Sequence, residues 1–173
     1  MPIDMTALKL PSGSQESPRQ ILETDFPACG SIPISGGWGY NRKDCVIIDK
    51  NDPSVPTYVS FDGVALEYLF VEKRIYEELI IFRDKKNQYS GIEWNLLKQE
   101  LISDENNWFD YLSFEVTALP DSDWEYLKKD WENINQLFDS EDRVTQHQDE
   151  REKRTVRYIA EYWFEISSFY GVS

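Results

Sequence analysis

Residues 108–131, WFDYLSFEVTALPDSDWEYLKKDW, place a strand pattern directly before a helix pattern. In residues 109–118 polar side chains alternate with apolar ones, and that two-residue period is typical of a strand with one buried face. After Pro120 the period changes, because apolar residues recur three or four positions apart. They are Trp124, Leu127, Trp131, Ile134 and Phe138. This spacing predicts an amphipathic helix that follows the strand at once.

Two local signals mark where these elements begin. Residues 104–107, DENN, are turn-forming and predict a turn just before the strand. Ser122 and Glu125 match the S-x-x-E capping box, in which a serine caps a helix and the glutamate reaches back to it. We therefore predict that Ser122 caps the helix.

The flanking segments add strands and one further helix. Residues 45–49 and 57–61 are short runs rich in β-branched and aromatic residues with a turn between them, which predicts a β-hairpin. Residues 64–78 have apolar side chains at helical spacing. Residues 92–102 and 155–170 fit both a strand and a helix, and their composition slightly favours a strand for the second. The predicted fold class is α+β, with a mostly antiparallel sheet packed by two or three helices.

The chain is expected to form one domain with an N-terminal extension. Of its 173 residues, 40% are hydrophobic and 14% aromatic, which is enough to bury a core and argues against disorder. Proline, serine and glycine are frequent near the start. We therefore predict a flexible arm over residues 1–27 and a single α+β domain over residues 28–173.

Charge is the clearest functional signal in the sequence. The formal net charge is −14, and residues 103–142 hold twelve acids and two lysines, a net charge of −10. Such a field repels nucleic-acid phosphates and anionic lipids and attracts a basic protein surface. We therefore predict a basic protein partner, with no nucleic-acid or membrane partner. The candidate partner-binding acids are Asp110, Asp121, Glu125, Glu132 and Asp139.

A glycine-rich loop, IPISGGWGY at residues 32–40, allows two interpretations. It lacks the spacing of phosphate-binding loops, so no nucleotide site is predicted. The favoured interpretation is that the glycines permit a tight turn and Trp38 fills the core. In the alternative, Trp38 and Tyr40 are aromatic anchors of a partner-binding surface.

Residues for catalysis or metal binding are scarce. His147 is the only histidine, and its neighbours Gln146 and Gln148 suggest a solvated side chain. A histidine-dependent nucleophile is therefore not expected, and Cys29 and Cys45 lack the spacing of a zinc site. We predict no cofactor, no metal and no enzymatic activity. A carboxylate-dependent enzyme stays open as an alternative, because any acid-rich chain offers carboxylate pairs.

Localisation follows from the N-terminal residues. Residues 1–20 contain three prolines and lack the apolar run of a secretory signal, so a cytoplasmic protein with reduced cysteines is expected.

Three stretches resemble small bacterial immunity-type proteins that accompany polymorphic or contact-dependent toxins. They are PISGGWGYNRKDCVIID at residues 33–49, GIEWNLLKQEL at residues 91–101, and the opening stretch at residues 108–131. The resemblance implies a cytoplasmic protein that binds its cognate toxin and occludes the toxin's active surface. It implies no particular functional residue. A structural or adaptor subunit is the other interpretation, and self-association is compatible with both.

Overall fold

The structure is a computed structural model that describes residues 16–136 and 141–171. In these residues the helices are α1 (Pro18–Asp25), α2 (Gly63–Tyr76), α3 (Asp121–Gln136) and α4 (Glu141–Arg154). The strands are β1 (Ile34–Gly36), β2 (Val46–Ile48), β3 (Tyr89–Asp104), β4 (Asn107–Pro120) and β5 (Val156–Glu165). A short π-helical segment, Glu77–Ile81, continues α2.

One mixed sheet holds all five strands in the order β1-β2-β5-β4-β3. The β2–β5 pair is parallel and the other three pairs are antiparallel. The predicted α+β class with a mostly antiparallel sheet is therefore confirmed, with four helices in the described part of the chain.

The long β3–β4 hairpin confirms the strand and the turn that were predicted first. Asp104 pairs with Asn107 across a two-residue turn, in which Glu105 has a φ of 53°. Residues 92–102, which fitted both templates, lie within β3 because β4 supplies a cross-strand partner along almost their whole length.

Strand β5 settles the second ambiguous segment. It lies between β2 and β4, and its even-numbered residues from Val156 to Phe164 are buried on the face that also carries Leu112 and Phe114 of β4. Helix α2 covers this face with Phe70, Val71 and Ile75, so the core lies between α2 and the sheet.

Helix α1 differs from the arm predicted for residues 1–27. Ser17 caps it through a capping box with Gln20, Pro18 occupies the first turn, and Ile21 and Leu22 are buried in the main core. Burial of these two aliphatic side chains offsets the conformational entropy that is lost when a short helix is ordered. Composition alone did not reveal this burial. The predicted arm therefore does not hold for residues 18–25.

The predicted hairpin between residues 45–49 and 57–61 is wrong. Strand β2 pairs with β1 on one side and β5 on the other, while residues 57–61 form no strand. The glycine-rich loop returns the chain so that β1 lies directly beside β2. Residues 57–60 are exposed, and Phe61 packs edge-on to Phe169.

That loop confirms the core interpretation of Trp38. Gly36 and Gly39 have φ of 81° and 80°, a region in which residues with a Cβ are strained. Trp38 is buried, and its ring centroid lies 6.1 Å from that of Phe70.

Replacing Gly36 with Ala is expected to lower the free energy of unfolding by roughly 1–3 kcal/mol, because positive φ is strained and the new Cβ would overlap the carbonyl oxygen of Cys45. Gly30→Ala is the matched control, since Gly30 has a φ of 67° and open space around its Cβ position. Denaturant unfolding should show the larger loss for Gly36→Ala. Equal losses would mean that the contact with Cys45 contributes nothing.

Helices α3 and α4 pack against each other as a pair beside the sheet. Helix α3 was predicted, but it begins at Asp121, so Ser122 lies inside the helix and the predicted cap is wrong. Instead, Ser90 donates a hydrogen bond to the Asp121 carboxylate at 2.6 Å. The sequence analysis did not predict helix α4, because its one well-buried side chain, His147, is polar.

Candidate functional site

The acid-rich window does not form an unbroken acidic face. Four arginines from outside residues 103–142 neutralise four of its acids. The pairs are Arg42–Asp104 at 2.6 Å, Arg143–Asp130 at 3.1 Å, Arg154–Asp123 at 2.5 Å and Arg157–Glu115 at 3.4 Å. The net charge of −10 counted along the sequence therefore overstates the local charge of this surface.

The predicted partner-binding acids occupy different environments. Glu125 and Glu132 are exposed on α3, and Glu125 also pairs with Lys128 at 2.7 Å. Asp121 is half-buried at the start of the same helix. Asp110 is only 6% exposed and lies behind Gln99, not on the open surface. Asp139 lies outside the described residues.

Trp38 and Tyr40 are not surface anchors, which corrects the alternative interpretation of the glycine-rich loop. Trp38 is buried, and the partly buried Tyr40 donates a hydrogen bond to Oε1 of Glu78 at 2.7 Å. Both aromatic rings make contacts within the protein, because the loop folds inward over α2.

A groove between α3 and α4 is the most distinctive surface feature. We call it the α3–α4 groove, with a volume of about 480 Å³. Its lining residues are Trp124, Leu127, Lys128, Trp131, Glu132, His147, Gln148 and Arg151. Trp131 was predicted on the buried stripe of α3, yet it is 43% exposed because the helix packs on α4 rather than lying flat on the sheet.

His147 lies against Trp131 in this groove and is buried, which corrects its prediction as a solvated residue. Its Nδ1 is 2.8 Å from Oδ2 of Asp130, and the two ring centroids of His147 and Trp131 are 5.2 Å apart. The hydrogen bond from His147, together with Arg143, lowers the pKa of Asp130. This geometry fixes the imidazole and the indole relative to each other.

Helix α2 carries a second polar assembly that periodicity did not reveal. Arg74 and Glu78 are both buried and form an ion pair at 2.9 Å. Arg74 also donates to the carbonyl oxygens of Trp38 at 3.0 Å and Glu161 at 2.7 Å. Burial raises the pKa of Glu78, while Arg74 and the hydroxyl of Tyr40 oppose that rise. The pair therefore ties α2 to the sheet.

Two further carboxyl groups of α2 and its extension face other carboxyl groups. Burial and the neighbouring Asp110 raise the pKa of Glu67 to about 8, and burial together with Asp25 raises the pKa of Glu77 to about 9. Each pair therefore holds a proton at neutral pH. Glu67, Arg74 and Glu78 recur at helical spacing, which is the one sequence signal that could have indicated a shared face.

Neither Glu67 nor Asp110 lines the α3–α4 groove or the apolar cavity of about 230 Å³ beside the start of α2. In the part of the chain that the structure describes, no group of three or more His, Cys, Asp or Glu side chains is arranged to hold a metal ion. None of the helices described has the length and apolar composition of a membrane span.

Comparisons with known proteins found no matching family model, no matching curated protein and no matching solved structure.

Proposed function

We propose that this protein binds a basic partner protein through the α3–α4 groove, and that it acts in the cytoplasm as the inhibitor of a cognate toxin. The observation that carries the proposal is the exposure of Trp131 beside Glu132 on a helix pair outside the main core. Because the indole of Trp131 is 43% exposed, folding gains only part of the free energy that its full burial would give. A partner that covers the indole would gain the rest.

The aromatic side chains of this surface have the character of binding hot spots. Tryptophan and tyrosine dominate the energetics of protein interfaces when they occupy central, well-packed positions. Tyr126 is also exposed on α3, and the guanidinium of Arg154 lies 4.3 Å from its ring centroid, which restrains the ring. His147 restrains Trp131 in the same way. Restrained side chains lose little entropy on binding.

Charge supplies the preference for a basic partner. Glu125 and Glu132 are exposed on the same helix as Trp131, and the whole protein has a formal net charge of −14. The overall field speeds association with a basic surface. Glu132 lines the groove together with Lys128 and Arg151, and Glu125 lies on the same helix outside that lining. The resemblance of residues 33–49, 91–101 and 108–131 to immunity-type proteins supports a toxin as that partner.

Replacing Trp131 with Ala is expected to weaken binding by about 2 kcal/mol or more, since the indole is the central apolar contact. The measurement is calorimetry with the purified product of the adjacent reading frame, a basic protein on this proposal. Tyr58→Ala is the matched control, because Tyr58 is 87% exposed on a loop away from α3 and α4.

Charge reversal tests the electrostatic part separately. Glu132→Lys is expected to slow association at low salt and to leave the rate at high salt little changed. Full affinity in the Trp131→Ala variant, or no complex with the neighbouring gene product, would refute the proposed function.

A further inference from the structure

Strand β3 is an edge strand with a long unpaired side. It has 16 residues, and among the residues that the structure describes it hydrogen-bonds only to β4. Its register slips between Leu96 and Lys98, and from Lys98 to Asp104 it is unbroken. Seven consecutive residues therefore present the outer side of a regular strand, which is the geometry that an added strand requires.

Apolar side chains are exposed along this edge. Leu96, Leu97 and Leu101 are 42%, 55% and 42% exposed, and Val64 and Tyr68 of the adjoining helix α2 are exposed as well. Tyr68 packs edge-on against Phe114, the residue that pairs with Leu96. We call these five residues the β3 edge patch.

A buried acid pair lies directly behind the patch. Asp110 pairs with Leu101 across the hairpin, so the two side chains share one face of the sheet. Exposed Gln99 covers Asp110 and donates to its Oδ2 at 2.7 Å. Glu67 is 1% exposed and Asp110 is 6% exposed, and the two carboxyl groups share a hydrogen bond through the proton that the pair holds.

We propose that the β3 edge is a second recognition surface, which binds an extended, basic segment of a partner protein and takes one lysine or arginine side chain into the Glu67–Asp110 pair. The segment adds as a strand beside residues 98–104. Its cationic side chain passes the β3 edge patch and displaces Gln99. This surface goes beyond the α3–α4 groove and does not depend on it.

A cationic side chain stabilises the Glu67–Asp110 pair better than the proton that the pair holds in the absence of a partner. Two adjacent buried carboxyl groups cannot both ionise without a counter-charge, and a guanidinium or ammonium supplies that charge together with several donors. The aliphatic stem of lysine or arginine packs on apolar side chains such as Leu101 and Tyr68 while its head reaches the acids. The backbone of the added segment satisfies the free edge.

Binding is therefore expected to release a proton at neutral pH. The groups that face Glu67 and Asp110 are each other and Gln99. The pKa of Glu67, about 8, places the shared proton on the pair at pH 7, and the incoming cation replaces it. Proton release distinguishes a cation in the pair from a segment that only adds to the edge.

The test uses a capped heptapeptide of alternating threonine and valine with lysine at its centre, and a twin peptide with norleucine in place of lysine. Calorimetry in buffers of different ionisation heat gives the affinity and the protons released, and amide chemical shifts locate the site. The lysine peptide should bind at least about tenfold more tightly than its twin. It should release up to one proton and shift the amides of residues 98–104.

Glu67→Gln is expected to abolish the proton release, because glutamine has no ionisable proton, whereas Glu77→Gln, a matched change in the other carboxyl pair, is expected to retain it. Gln99→Lys provides a second route if Glu67→Gln folds poorly, since the built-in lysine should occupy the pair and reduce the affinity for the lysine peptide to that of its twin.

Equal binding of the two peptides, no proton release, absence of binding, or shifts confined to α3 and α4 would each overturn the proposal. These results bear on β3 alone. The affinity of the Trp131→Ala variant for the neighbouring gene product is measured independently, so the failure of one proposal is distinguishable from the failure of the other.

Discussion

Replacing Arg74 with Met is expected to lower the free energy of unfolding by about 3–5 kcal/mol, because it leaves the Glu78 carboxyl group buried without its counter-charge. Arg74 is 1% exposed and is the largest fully buried side chain in the described residues. Its hydrogen bonds to the carbonyl oxygens of Trp38 and Glu161 would be lost together with the ion pair. Methionine fills much of the same volume, so the loss reports mainly polar interactions.

The double variant Arg74→Met with Glu78→Gln is expected to recover part of this loss, since removing both charges is less costly than removing one. Arg157→Met is the matched control. Arg157 pairs with Glu115 and Glu152 on the surface, where such pairs contribute about 1 kcal/mol or less. Denaturant titrations measure all three variants. A loss below that of Arg157→Met would show that the buried pair does not stabilise the fold.

The second large effect concerns pH, because stability is expected to fall as the pH rises from 5 to 9. The pKa values of Glu67 and Glu77 rise from about 4.5 to about 8 and about 9 on folding. Between those values the folded protein binds more protons than the unfolded chain, so raising the pH favours unfolding. This contribution is complete below pH 4.5 and is lost as the pH passes the folded pKa values. Its slope is about 1.4 kcal/mol per pH unit for each group.

Groups with the opposite shift limit stability on the acid side. The pKa values of Asp52 and Asp130 are lowered by hydrogen bonds and charged partners, although burial raises that of Asp52 in part. Their contribution is present above their unfolded values and is lost as the pH falls through the folded values. The four groups together place the stability maximum in mildly acidic solution.

Amide variants isolate the two carboxyl pairs. Glu67→Gln keeps the shape and a donor toward Asp110 but cannot ionise, so this variant should lose less stability than the wild type between pH 5 and pH 9. Glu77→Gln should behave likewise, and Glu132→Gln, at an exposed position, should follow the wild type. Unfolding free energies at pH 5, 7 and 9 test this, and a wild-type slope in both buried variants would contradict it.

Local periodicity was sufficient to predict the secondary structure of elements whose buried residues recur at one constant spacing. Residues 109–118 alternate, and they form a strand with one buried face. Residues 64–78 and the stretch after Pro120 repeat at helical spacing, and both are helical. The core position of Trp38 also followed from the sequence, because glycines on both sides of an aromatic residue indicate a turn that points it inward.

The candidate sites were harder to predict from the sequence, because each depends on contacts between residues that are far apart in the chain. In the sequence, Asp110 is one more acid of the acid-rich window. In the structure, its place in β4 directs its side chain toward Glu67. His147 reads as a polar residue among glutamines until α4 places it beside Asp130 and Trp131. Glu125 and Glu132 were placed correctly on the exposed side of a helix, because their exposure follows from the helical period itself.

The amino-acid sequence by itself determined the α+β class, the β4 strand, the helices α2 and α3 and the acidic character, since these depend on composition and on the spacing of near neighbours. Only the tertiary structure decided the pairing of β1 with β2, the place of β5, the arginines that pair with four acids of the acid-rich window and the buried carboxyl pairs. Each of these depends on two groups far apart in the chain, and their free energy exists only once both have been brought into contact.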